Sequence, residues 1–123
     1  MSNKAVKKGL TQTAHHTSTA STNAVVLVSG PALLAGYSVV TGASARWLRF
    51  YDLNREPLPS DDPVYVTRTN ASLPLNAIIA DIFCENGIAI RITANGAPPT
   101  AYYDDTAITA GDVYLDVFYK RVA

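Results

Sequence analysis

From Ala24 onward, short apolar or alternating runs are broken roughly every 8–12 residues by Gly, Pro, Asn and Asp, and no stretch carries the 3.6-residue period of a helix. This spacing predicts strands over residues Ala24–Ser29, Leu33–Thr41, Ala45–Leu53, Val64–Thr69, Leu73–Ile79, Ile82–Cys84, Ile88–Thr93 and Asp112–Arg121. Pro57, Pro59 and Pro63 mark one long loop, and Asn95-Gly96 with Pro98-Pro99 another, because proline donates nothing to a ladder and glycine tolerates positive φ. In the last strand Val113, Leu115, Val117 and Tyr119 share one face and Tyr114, Asp116, Phe118 and Lys120 the other, so one face is core. Ile88, Ile90 and Ile92 alternate with Ala89, Arg91 and Thr93, which reads as a half-exposed strand. In Ala45–Leu53, Trp47 and Tyr51 flank Arg49 on one face while Leu48 and Phe50 take the other, the pattern of a strand covered on both sides.

Residues 1–23 have a different composition, rich in Thr and Ser, with almost nothing large and apolar in the body of the segment except Val6 and Leu10. Burial of so little apolar surface does not offset ordering entropy, and the segment reads as an extended arm that orders on a partner. The expected organisation is therefore an arm at 1–23 and one all-β domain at 24–123. No repeat of fixed period points to a solenoid or propeller. An antiparallel two-sheet sandwich, either a jelly roll or an Ig-like Greek key, is the simplest architecture, and the sequence does not choose between the two.

Charge divides the chain along the same boundary. The 123 residues carry ten basic and ten acidic side chains, but residues 1–22 hold Lys4, Lys7 and Lys8 and no acid, so the arm is +3 and the remainder −3. No overall charge favours nucleic acid or an acidic membrane. A single cysteine, Cys84, forms no internal disulfide, and no apolar run is long enough to cross a bilayer or follow the N-terminal lysines as a signal segment. Synthesis in a cytoplasm, without export or anchoring, is the expectation.

Candidate chemistry is sparse. His15 and His16 are adjacent in the polar arm and point opposite ways in an extended chain, whereas zinc needs about four converging ligands. Asp61-Asp62 and Asp104-Asp105 lie in predicted loops, where Asp commonly bonds nearby backbone N–H groups rather than acting on a substrate or a hard cation. Cys84 follows Phe83 in an apolar stretch and reads as a small core side chain. Phosphate-binding glycine loops, GxSxG and HExxH are missing, and no nucleophile–base pair can be assembled. Arg46 and Arg49 beside Trp47 and Tyr51 have the look of a strand that binds single-stranded nucleic acid, but the acidic body opposes a broad positive groove. No enzyme activity, metal or cofactor is expected.

Read in order, several short signatures resemble a recurrent family of small virion proteins of tailed bacteriophages. They are Tyr51-Asp52, Asp62-Pro63-Val64, Asn86-Gly87-Ile88-Ala89-Ile90-Arg91-Ile92-Thr93, Asp104-Asp105-Thr106, Ala110-Gly111-Asp112 and Val117-Phe118-Tyr119-Lys120, spread over residues 51–120. The resemblance implies a multi-copy particle subunit with a β-sandwich body and no catalytic residues. The corresponding expectation is a capsid decoration or cement protein in the virion, a homo-oligomer with a trimer favoured, bound to the major capsid protein or another virion protein. Lys4, Lys7, Lys8, Trp47, Tyr51, Tyr114 and Phe118 are the candidate interface residues. Two alternatives stay open: a neck or tail adaptor or fibre-associated module, and a carbohydrate-binding sandwich in which Trp47, Tyr51 and Tyr102-Tyr103 form a stacking platform.

Overall fold

The computed structural model describes residues 10–94 and 106–122. Its strands are β1 (Thr11–Thr17), β2 (Val25–Ser29), β3 (Ala32–Thr41), β4 (Trp47–Tyr51), β5 (Tyr65–Arg68), β6 (Leu75–Cys84), β7 (Gly87–Thr93) and β8 (Val113–Arg121). They form two four-stranded antiparallel sheets, ordered β1-β8-β3-β6 and β2-β7-β4-β5, which pack against each other as a sandwich. First pairs with eighth, second with seventh, third with sixth and fourth with fifth. This nested pairing is the jelly roll; an Ig-like order would instead put strands 1, 2, 5 and 4 in one sheet.

Alternation along the strands builds the core. From the first sheet come Leu34, Tyr37 and Val39 of β3, Ile79 and Cys84 of β6, and Val113, Leu115 and Val117 of β8; from the second come Val28, Leu48, Phe50, Ile88, Ile90 and Ile92. The rings of Tyr37 and Phe50 lie 5.6 Å apart, and Tyr65 is 6.0 Å from each. Each such buried side chain contributes about 1.5–3 kcal/mol through area removed from water.

Four expectations need correction. The arm does not extend to residue 23, because β1 pairs with β8 from Thr11↔Lys120 to Thr17↔Tyr114. Threonine suits a pleated surface, and an edge strand needs ladder bonds more than large apolar side chains. The following turn is held by its own polar groups. Asn23, buried at φ 54°, accepts at Oδ1 from the Thr19 N–H at 2.8 Å and donates from Nδ2 to the carbonyls of Thr19 and Ser21. The buried Ser18 hydroxyl donates to Thr109 O and accepts from the N–H groups of Asp112 and Val113. Lys4, Lys7 and Lys8 lie outside the described residues.

The second correction concerns Leu73–Ile79 and Ile82–Cys84, which are one strand. Leu34 pairs with Ile82 and Gly36 with Ile78, so Ile79, Ala80 and Asp81 of β6 oppose the single residue Ala35. The bulge carries the strand through a polar interruption that reads as a break in the sequence. Gly36 permits the close approach there, since a Cβ at this position would stand 2.5 Å from Ala77 O.

Third, β7 is buried on both faces, Arg91 and Thr93 included. The 52–63 loop contributes to its outer cover: Arg91 Nη1 donates to the carbonyl of the buried Pro57 at 3.4 Å. Fourth, the same layer encloses Tyr51, whose exposure is 0%. Tyr51 is therefore neither an interface residue nor a stacking platform. The two-sided cover expected for β4 does hold, with Leu48, Arg49, Phe50 and Tyr51 all buried.

Candidate contact surface

The outer face of the first sheet is set by register. Its four rows run Thr11–Lys120–Leu33–Phe83, Thr13–Phe118–Gly36–Ile78, His15–Asp116–Ser38–Asn76 and Thr17–Tyr114–Val40. Because the inner face of β8 and β3 already carries the core, apolar residues in these rows face outward. Ile78 is 97% exposed, Tyr114 56%, Phe83 54% and Val40 44%, while Phe118 is half-buried. Phe118 and Ile78 share one row with Phe83 near its β6 end, whereas the polar row His15–Asp116–Ser38–Asn76 separates them from Tyr114 and Val40; exposed apolar side chains grouped in this way are candidates for contact.

Between Phe118 and Ile78 lies a hollow of about 570 Å³, bordered by Ala35, Ala77, Ser38 and Asn76. Gly36 sits between Phe118 and Ile78 in register. On the same face His15 Nδ1 contacts the Asp116 carboxylate, and Lys120 Nζ lies 3.4 Å from Asp81. Tyr114 and Phe118 thus fall where the alternation of β8 predicts. Ile78, Phe83 and Val40 escaped the sequence reading, since their alignment with Phe118 depends on the register and the bulge. Trp47 is half-buried at the start of β4, in the other sheet, apart from this surface.

The groups with chemical potential are engaged in structure. His16 Nε2 donates to Asn23 Oδ1 at 2.7 Å, so the two histidines diverge, one outward and one into the turn. Among the described residues no group of three or more His, Cys, Asp or Glu side chains is placed to hold a metal, and no helix is long and apolar enough to cross a membrane. Asp52 accepts from the N–H groups of Glu85 and Asn86 and so caps the β6–β7 turn. Arg46 Nε donates to Asp112 Oδ2 at 2.7 Å, tying the β3–β4 connection to the start of β8. Asp104-Asp105 and Tyr102-Tyr103 lie outside the described residues.

Burial, with a smaller push from the Asp52 charge, raises the Cys84 thiol to about 11. A thiolate is the reactive form, so the folded chain is expected to resist a maleimide at pH 7.5 and to react once unfolded. Rapid labelling of the folded chain in a mass-spectrometric time course would contradict this burial.

Asp61 closes the 52–63 loop by accepting two bonds from the Arg55 guanidinium, each 2.7 Å, and one from the Leu58 N–H. The Arg55 bonds, and then the Leu58 N–H, lower its carboxyl from 3.8 to about 2. A lowered folded-state value means that the clasp contributes stability above about pH 3.8 and loses it as pH falls through about 2. The Leu58 amide resonance should therefore titrate with a midpoint near 2. A midpoint at the ordinary carboxyl value would mean that Arg55 and Asp61 do not pair in solution.

Comparison with protein-family models, with curated proteins and with solved structures finds no match to this chain.

Proposed function

We propose that this chain is a structural subunit of a tailed-bacteriophage particle, a homo-oligomeric decoration or cement protein that acts through protein contact and not by catalysis. The observation that carries the reading is the group of large apolar side chains on the outer face of β1-β8-β3-β6, Ile78, Phe83, Val40, Tyr114 and Phe118, on the solvent side of a sheet whose other side is core. A free-standing monomer gains nothing from such a face. The signatures over residues 51–120 supply the phage assignment, and the jelly-roll order agrees with it by analogy of fold, since viral capsid domains use that topology as do lectins and cupins.

The engagement of His15, His16 and Asp52 in local bonds, and the buried Cys84, support a non-enzymatic role. Lys4, Lys7 and Lys8 supply a basic segment suited to an acidic groove on the major capsid protein or another virion protein. A protein that binds only the assembled shell stabilises it by mass action.

Mixing the purified chain with undecorated heads and separating them on a density gradient tests this reading. The chain is expected to migrate with the heads until the sites saturate, and the Lys4→Glu, Lys7→Glu, Lys8→Glu triple variant to bind less at low salt. A chain that stays at the top of the gradient would contradict the proposal. Equal binding by the triple variant would remove the lysines from the contact.

A further inference from the structure

We propose that the bulge in β6 is a guard, which keeps the open edge of its sheet from adding a strand of another copy of the chain. β6 pairs with β3 and ends the sheet, so among the described residues the backbone N–H and C=O groups on its far side meet no strand. Such an edge is a template for any extended chain, an identical one included. The sequence adds to the hazard. Ala77-Ile78-Ile79-Ala80-Asp81-Ile82-Phe83 has one charge and neither Pro nor Gly, the composition of a segment that stacks edge to edge.

The other three edges are blunted more simply. β5 has four residues and comes just after Pro63, β2 has five with a register shift between Val26 and Val28, and β1 has seven without a large apolar side chain. β6 has ten, as many as β3, and needs another device. The register supplies it. While β8 moves one residue, from Phe118 to Tyr119, β3 moves two, from Gly36 to Leu34, and β6 moves four, from Ile78 to Ile82. The irregularity grows toward the open edge. It leaves Leu75–Ile78 and Ile82–Cys84 as regular stretches of four and three residues, each shorter than the usual strand of about 5–6. A bulge also bends and twists its strand, which turns the two stretches out of one line. Asp81 lies in the bulge but is turned to Lys120 of β8, 3.4 Å away across β3, so the geometry and not this charge is the barrier.

The guard belongs to the isolated chain and does not rest on a place in a particle. Deletion of Ala80 and Asp81 gives β6 the same advance as β3 and restores one-for-one pairing between them. The deletion variant is expected to keep a β-rich far-UV spectrum and, in sedimentation velocity over a concentration series, to reach at least about twice the mean mass of the wild type. Asp81→Asn, which keeps the bulge, should sediment as the wild type does. In the wild type itself, the β6 amides that face away from β3 should exchange with deuterium equally fast in dilute and concentrated solution. A folded deletion variant that sediments as the wild type, association of Asp81→Asn comparable with that of the deletion, or protection of those amides in concentrated wild type would overturn the proposal. Should the deletion prevent folding, the exchange measurement decides alone.

Discussion

Leu115→Ala is expected to lower the free energy of unfolding by about 2–5 kcal/mol. Leu115 is 2% exposed at the middle of β8, the strand that lies between β1 and β3, and it belongs to the same buried cluster as Val39, Phe50 and Ile90. Strands on both sides of β8 are fixed by their ladders, at His16 and Val39 opposite Leu115, so the cavity left by truncation cannot close by a small backbone shift. Denaturant melts read the loss as a lower midpoint at constant slope. Tyr114→Ala, one residue away on the solvent face, should change stability by no more than about 0.5 kcal/mol. A cost under about 1 kcal/mol for Leu115→Ala, or a larger one for Tyr114→Ala, would mean that the faces of β8 are exchanged.

Removing residues 1–22 should be more damaging still. A dispensable arm would leave the melt unchanged, but this deletion takes away β1 and leaves the ladder groups of β8 from Tyr114 to Lys120 without their partners on that side. It also removes Ser18, whose hydroxyl makes three hydrogen bonds and whose backbone makes two more, to Val113 O and from Gly111 N. At about 1 kcal/mol net per bond, these five alone approach the lower end of total domain stability, about 5 kcal/mol. The shortened chain is expected to melt at least about 15 °C lower or to lose its cooperative transition. An unchanged melting temperature by far-UV dichroism would mean that β1 is not part of the folded body.

The strands that announce themselves in the sequence are those whose burial is one-sided or complete. Val113, Leu115 and Val117 give β8 its core face, and Leu48 with Phe50 gives β4 its own. β1 is silent because Thr11, Thr13, His15 and Thr17 face water and its contribution is made through the backbone, which composition does not register. Arg91 misleads for a related reason: its burial against the 52–63 loop, where it bonds the Pro57 carbonyl, depends on where a distant segment folds. Tyr51 fails as an interface residue on the same account. At the contact surface, Tyr114 and Phe118 are legible from alternation alone, but Ile78 is not, because the three-against-one bulge at Ile79–Asp81 sets its direction.

Copy number in purified particles tests the assignment as a shell decoration protein most directly. A subunit that repeats over the head lattice is present on the order of hundreds of times, whereas an adaptor follows a closed ring of about six or twelve. Quantitative mass spectrometry against the major capsid protein should return hundreds of copies of this chain per particle. A count of six or twelve, or none, would contradict the account.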